Sequence, residues 1–281
     1  MHISKEIYKL KNQLSEYKKN GLSIGFVPTM GALHDGHLSL ITESNQKADK
    51  TIVSIFVNPT QFNEKNDFIN YPRNFDKDIN VLQNTNCDIL FLPSKKEMYP
   101  EPDNREFELG YLEKIMEGKH RQGHFQGVAK VVTKLFDIVE PDFAFFGQKD
   151  FQQIAVIKKV VYDLNYKIKI IPCEIIRESD GLAMSSRNQL LNNKARQNAS
   201  FIYNSLLKSQ KMSKTFSVSE LKKWIKKLFK SNPLFKLEYF EIVNENNLNS
   251  ITSWNEKCNK IGCIAAWLNG VRLIDNIKYN L

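Results

Sequence analysis

Short apolar, β-rich runs alternate with helical spacing over the first two thirds of the chain. The runs predict strands at Leu22–Val27, Thr51–Val57, Asp88–Leu92, Asp142–Phe146 and Lys167–Ile171. The stretches between them predict helices over Gly36–Ala48, Phe75–Asn84, Gly127–Val139 and Phe151–Leu164. A leading helix, Lys5–Lys19, is expected to stop at Asn20-Gly21, a pair that favours a helix end. Strands that alternate with helices in this way imply a parallel sheet covered by helices on both faces.

After Asn188 the pattern changes. Leu191–Ser209 is helical in character. Ser217-Val-Ser-Glu220 is a capping box, followed at helical spacing by Val218, Leu221, Ile225, Leu228 and Phe229. Lys236–Val243 reads as a strand, and Ile261–Leu268 is joined to Val271–Asp275 by Asn269-Gly270, a strong hairpin signal. The expected fold is therefore α/β: a Rossmann-like, doubly wound parallel sheet over residues 1–176, then a smaller C-terminal α+β domain over 177–281. No internal repeat is visible.

Composition narrows this picture in three ways. A hydrophobic fraction of 42% over 281 residues is enough for a real core. No apolar run reaches the ~18 residues of a membrane span, and the charged start MHISKEIYKLKNQ does not read as a secretory signal. The four cysteines form no CxxC pair, and Cys258 and Cys263 have no second pair to complete a zinc site. They read as thiols in a reducing cytoplasm. The net charge of +9 invites a nucleic-acid reading, but the lysines are scattered singly or in pairs among asparagines. An anionic small molecule needs only a few well-placed cations, and neither nucleic acid nor membrane is expected as a partner.

The unusual stretches fall where predicted strands end. Pro28–His37, PTMGALHDGH, follows the first strand; Asn58–Phe62, NPTQF, the second; Gly147–Gln153, GQKDFQQ, the fourth; and Arg177–Asn188, RESDGLAMSSRN, the fifth. In an open parallel sheet, ligands bind beyond the carboxyl ends of the strands at a switch point. With strand order 3-2-1-4-5, the second, first and fourth loops would line one crevice.

His34 and His37 are three residues apart and could share one helix face. As zinc ligands they would need a third protein ligand, and the HExxH spacing is absent. One of them could instead be a packed core histidine. Phosphate handling fits best: Gly36 allows close approach, a helix start directs N–H groups at an anion, and imidazole N–H can stabilise growing phosphoryl charge. Lys149 can meet phosphate as a point charge, or be a solvated surface lysine. Asp150 could be only a helix cap. Gln61, Gln148, Gln152 and Gln153 are neutral donor–acceptors suited to hydroxyls and carboxylates. Ser185, Ser186 and Arg187 offer hydroxyls and a permanent charge, and Asp180-Gly181 marks a turn before them in what reads as a mobile loop.

PTMGALHDGH, FVNPTQF, YPR (Tyr71–Arg73), FGQKDFQQ and RESDGLAMSSRN, in this order, closely resemble the pantothenate synthetase (pantoate–β-alanine ligase) family over about residues 22–190. HxGH alone marks the whole superfamily of HIGH-type nucleotidylyl transferases and class I aminoacyl-tRNA synthetases. The resemblance implies a two-step reaction: ATP and pantoate give pantoyl adenylate and pyrophosphate, then the amine of β-alanine displaces AMP. It also implies ATP as substrate, Mg²⁺ with it, and a cytoplasmic homodimer.

Carried over residue by residue, the resemblance implies that Met30, Gly31, Ala32, Leu33, His34, Asp35, Gly36 and His37 form the ATP-binding turn, with His37 as the catalytic proton donor. Gly147, Gln148, Lys149, Asp150, Ile176, Met184, Ser185, Ser186 and Arg187 would also hold ATP, with His34, Lys149 and Arg187 joining His37 in the catalytic set. Gln61 and Gln153 would bind pantoate, and Gln61 would also serve the β-alanine step. The family usually has Glu where this chain has Gln148, which removes one negative charge beside Lys149. Asp76 and Asp78 are assigned to no metal.

Two rival readings remain at the level of sequence. A class I aminoacyl-tRNA synthetase would share HxGH and use Lys211–Thr215, KMSKT, as its second phosphate loop. That stretch lies between two C-terminal helical segments, away from any strand end. A simple nucleotidylyl transferase would explain HxGH but not the two glutamine-bearing loops.

Overall fold

The computed structural model describes residues 1–62 and 65–280. They fall into two compact units. One comprises Met1–Gln148 with Gln152–Glu174, and the other Lys149–Phe151 with Ile175–Leu281.

The first unit is built on a six-stranded parallel sheet. Its strands are β1 (His2–Ser4), β2 (Ile24–Thr29), β3 (Lys50–Ile55), β4 (Ile89–Phe91), β5 (Phe143–Gly147) and β6 (Lys169–Cys173). The order is β1-β4-β3-β2-β5-β6, so the expected 3-2-1-4-5 arrangement holds, with β1 added as an extra edge strand beside β4. Helical spacing could not reveal β1, because three residues with one buried side chain carry no period. Strand β6 starts two residues later than expected and includes Pro172, which an edge strand tolerates because its outer N–H positions need no partner.

Successive strand residues point to opposite faces, and both faces are covered. Phe26, Ile52, Ile89 and Ala144 pack with Leu10, Leu14 and the long helix His124–Val139 on one side. Val27, Val53, Leu90 and Phe145 pack with Leu40, Ile41 and Leu82 on the other. These runs are apolar on both sides because neither face meets water. The ladder between β2 and β5 covers only Gly25 and Phe26. Pro28, which has no N–H, lies past its end, so the sheet is open at the carboxyl end where the order reverses.

The second unit carries an antiparallel sheet of β7 (Phe235–Asn244), β8 (Lys260–Leu268) and β9 (Val271–Tyr279) in that order. The Asn269-Gly270 hairpin forms, with both residues at positive φ (50° and 76°). The helix Val218–Lys230 has the expected capping box and buries Val218, Leu221, Ile225 and Phe229. The single helix expected over Leu191–Ser209 is instead two, Asn193–Asn198 and Phe201–Met212, with Asn192 capping the first. KMSKT closes the second of these: Thr215 and Phe216 N–H both donate to Met212 O, at 3.0 and 2.8 Å.

Candidate functional site

In the first unit the site is built from the loops after β2 and β3. Strand β2 ends at Thr29, whose hydroxyl donates to Ser54 O of β3 (2.8 Å) and accepts from Gly31 N–H (3.2 Å). Gly31 and Ala32 then take positive φ, 81° and 50°. A Cβ on Gly31 would lie 2.9 Å from Asp78 Oδ2, so conformation and space both require glycine there. Ala32 N–H and Leu33 N–H donate to the two oxygens of Asp78, at 2.9 and 2.8 Å.

The histidines form a reciprocal cap on the helix Asp35–Lys47. Gly36 N–H donates to His34 Nδ1 (3.1 Å), and His34 N–H donates to His37 Nδ1 (3.3 Å). The ring centroids are 4.0 Å apart. A ring that accepts at Nδ1 carries its hydrogen at Nε2, so each imidazole is an Nε2–H donor. This changes one expectation. The amides of Ala32, Leu33, His34 and Gly36 already have acceptors within the protein, whereas the expectation is of N–H groups directed at an anion.

Gln61 ends the short turn Pro59–Gln61 after β3. Three contacts fix it. Asn58 donates from Nδ2 to Gly127 O (3.1 Å) and accepts from Tyr99 Oη (3.1 Å). His124 Nδ1 donates to Gln61 O (2.8 Å), with its Nε2 facing Arg121 Nη1 at 2.9 Å. Gly127 lets the helix press close, since a Cβ there would sit 2.2 Å from Thr60 O. Gln61 Nε2 lies 2.7 Å from Met30 Sδ, so the loops after β2 and β3 do meet. Gln153 is half-buried in the helix Phe151–Asp163. Its neighbour Gln152 is used otherwise: buried, it bonds Glu117 N, Leu112 O and Ile115 O at 2.9, 2.7 and 3.1 Å. It holds a loop rather than a substrate.

Asp78 was the main residue missed by sequence reasoning. It is 1% exposed, and burial pushes its carboxyl above the usual range, against the pull of Leu33 and Ala32 N–H. A signal existed, because Asp78 and Leu82 share the buried face of the helix Phe75–Gln83. A charge on an apolar face needs partners. Burial also raises the Tyr99 hydroxyl to about 12, so it stays a hydrogen-bond donor to Asn58.

In the second unit, Arg177–Asn188 is more firmly paired than the expected mobile loop. Arg177 and Ala183 form a β-bridge, and Met184 N–H donates to Ile176 O (3.0 Å). The Arg177 guanidinium binds both oxygens of Asp275 (2.7 and 3.0 Å), donates to Gly181 O (3.0 Å) and stacks on Tyr203 at 3.6 Å. Ser185 caps the turn Ser186–Leu190 by accepting Arg187 N–H at 3.3 Å. Lys149 is half-buried, and its carbonyl accepts from Asn276 Nδ2 (3.2 Å). Gly147 and Gln148 belong to the first unit, whereas Lys149 and Asp150 cluster with the second. Among the described residues, no group of three His, Cys, Asp or Glu side chains could hold a metal ion, and no helix is long and apolar enough to cross a membrane.

Comparison with known proteins gives one consistent result. The family model for pantoate-beta-alanine ligase matches residues 2–278. A pantothenate synthetase of Bacteroides thetaiotaomicron is 47% identical over 279 residues, covering 99% of each chain. The crystal structure of pantothenate synthetase from Thermus thermophilus superposes with a TM-score of 0.93 at 36% identity, covering 100% of both chains. A pantoate-beta-alanine ligase from Francisella tularensis, solved with beta-gamma ATP and beta-alanine, gives 0.83 at 38% identity, over 99% of this chain and 98% of that one.

Proposed function

The chain belongs to the pantoate-beta-alanine ligase family, and on that premise we propose that it condenses pantoate with β-alanine to pantothenate, using ATP. In the first step a pantoate carboxylate oxygen attacks the α-phosphorus, and the bond to pyrophosphate breaks in line. In the second, the amine of β-alanine attacks the acyl carbon of pantoyl adenylate, and AMP leaves with the bonding electron pair. No protein nucleophile is needed, so catalysis is positioning and charge neutralisation.

The observation that carries this reading is the reciprocal histidine cap, which puts two Nε2–H donors at the end of β2. His34 and His37 are assigned to the phosphates, with His37 as proton donor to the departing charge. The rest of the turn, Met30 to Leu33 with Asp35 and Gly36, is assigned to ATP. Gly147, Gln148 and Asp150, with Ile176 and Met184 to Ser186, are assigned to the nucleotide as well. Lys149 and Arg187 supply permanent positive charge to its phosphates. Gln61 and Gln153 read the pantoate hydroxyls and carboxylate, and Gln61 also serves the amine step. Magnesium is assigned to the nucleotide itself, held by phosphate oxygens and water, as is usual for this ion. The working form is taken to be a cytoplasmic homodimer without nucleic-acid or membrane partners.

Reversible adenylation is the test. Labelled pyrophosphate is expected to exchange into ATP with pantoate, ATP and Mg²⁺ alone, and AMP release is expected to require β-alanine. A synthetase would exchange with a standard amino acid and charge tRNA. A simple nucleotidylyl transferase would stop at a stable conjugate. Absence of pantoate-dependent exchange in protein that binds ATP overturns the proposal.

A further inference from the structure

The turn Met30–His34 adopts a conformation that its own sequence does not favour. Gly31 and Ala32 are consecutive at positive φ, and alanine rarely accepts that region. Something outside the turn must hold it there. Its consecutive N–H groups at Ala32 and Leu33 converge on one carboxylate, the arrangement by which backbone nests bind anions. The anion here is internal: Asp78, reached across 45 and 46 residues of sequence. One residue further on, His34 N–H donates to His37 Nδ1, which sets the tautomer and direction of that ring.

We infer that Asp78 is a positioning residue for the reaction: by gripping Ala32 and Leu33 it fixes the left-handed turn that aims the Nε2–H groups of His34 and His37. Asp78 touches no substrate and acts through the histidines. The inference rests on the ligase reading for its catalytic readout, though not for its geometry. Both carboxyl oxygens accept, one from each N–H. Asparagine would keep one acceptor and turn an NH₂ group toward an N–H donor. Gly31 is the other half of the device, since a Cβ there would press on Asp78 Oδ2 at 2.9 Å and on Ile55 Cγ2 at 3.0 Å. Asp76, exposed on the same helix, serves as the control.

The test uses the full-length chain with Asp78→Asn, Gly31→Ala and Asp76→Asn. Pantoate-dependent pyrophosphate exchange gives kcat and the KM for ATP. Long-range ¹H–¹⁵N spectra of the histidine rings report their tautomers. Asp78→Asn is expected to lower exchange kcat by ~10²-fold, the scale for misplacing a reacting geometry by about an ångström, with the ATP KM changed by less than about threefold. The Nε2–H signatures of His34 and His37 are expected to broaden or shift. Asp76→Asn is expected to leave both readouts as in the unsubstituted chain. A folded Asp78→Asn protein with exchange within about threefold and unaltered ring spectra overturns the inference. Should Asp78→Asn fail to fold, Gly31→Ala disturbs the same contact from the other side. Normal exchange and normal ring spectra in that variant overturn it equally. If the unsubstituted chain shows no exchange at all, the ligase reading fails instead, and the ring spectra alone decide the role of Asp78.

Discussion

Two loops carry most of the proposed phosphate contacts, and each is pinned by a buried aspartate far along the chain. In the first unit Asp78 accepts directly from Ala32 and Leu33 N–H. In the second, Asp275 holds the Arg177 guanidinium, which in turn holds Gly181 O and lies on Tyr203. The first device steadies a carboxylate chiefly with backbone N–H dipoles, Lys77 adding a weaker pull. The second uses a guanidinium bound to both carboxylate oxygens. In both, burial pushes the carboxyl above its ordinary range, but only Asp275 has a guanidinium opposing that push as the strongest counterweight. A loop that uses its own N–H groups for anchorage leaves side chains, here those of His34 and His37, for the proposed phosphate contacts. A loop anchored through a side chain keeps its backbone pairing for a hairpin and presents Ser185, Ser186 and Arg187 beyond it.

The sharpest way to separate the two devices is to remove each aspartate. Asp275→Ala leaves Arg177 with its buried partner gone, a change that typically costs about 3–5 kcal/mol. Asp78→Ala takes the acceptor from two neutral N–H donors, and water entering the vacated space can meet them together, so about 1–3 kcal/mol is expected. Urea unfolding should therefore show the larger stability loss for Asp275→Ala. If the order reverses, the guanidinium in the second loop is better solvated than its geometry implies, and an ion-pair anchor is no costlier to break than a backbone one.

Activity provides the next test, since the two loops should both matter to chemistry. His37→Ala and Lys149→Ala are each expected to lower single-turnover adenylate formation by at least ~10²-fold, the usual scale for one preorganised donor. Arg187→Ala should remove most of the turnover. A loss under about threefold in folded protein would take that residue out of the mechanism. His124→Ala sits below these. It deprives Gln61 O of its 2.8 Å partner without touching the phosphate residues. The expected effect is a rise in the pantoate KM of about tenfold, the scale of one hydrogen bond's worth of binding energy, with the ATP KM unchanged. An unchanged pantoate KM would show that Gln61 is held well enough by its remaining contacts with Asn58 and Met30.

Much of the sheet was legible because its signal is local. Strands such as β3, Lys50–Ile55, are buried on both faces, so nearly every residue contributes to the pattern, and the loops that matter begin close to where the apolar run stops. The histidine pair was legible for the same reason, since HxGH lies within one helical turn. What escaped was whatever depends on contacts between distant positions. In sequence Asp78 is one of two acids, with Asp76, in the expected helix Phe75–Asn84, and only the fold shows its two oxygens on Ala32 and Leu33. His124 was placed before the expected start of its helix at Gly127, whereas the helix begins at His124 itself. Gln152 and Gln153 are adjacent and chemically identical, yet helix geometry sends the first into a loop-holding role. The split of GQKD between the two units follows from packing, which no spacing rule encodes.

The smallest expected effect tests where the second loop's role ends. KMSKT imitates a phosphate loop, with lysines at both ends of its core, and it lies in the same unit as MSSRN. Its backbone, however, closes the helix Phe201–Met212, with Thr215 and Phe216 N–H on Met212 O and Ser213 Oγ on Gln210 O at 2.6 Å. Trp254 Nε1 donates to Phe216 O at 2.7 Å, which ties the next residue to the sheet side of the unit. These are the bonds of a helix-to-helix connection, and they leave Lys211 and Lys214 at the surface as solvated charges. Substituting both, Lys211→Ala with Lys214→Ala, should therefore leave pyrophosphate exchange and pantothenate formation within about twofold of the unsubstituted chain, and stability within about 0.5 kcal/mol, as for other surface changes. Arg187→Ala measured beside it should be the crippled protein. If instead the double lysine variant loses exchange while Arg187→Ala retains it, the phosphate-binding role belongs to KMSKT, and the assignment of the Arg177–Asn188 stretch as the second phosphate loop falls with it.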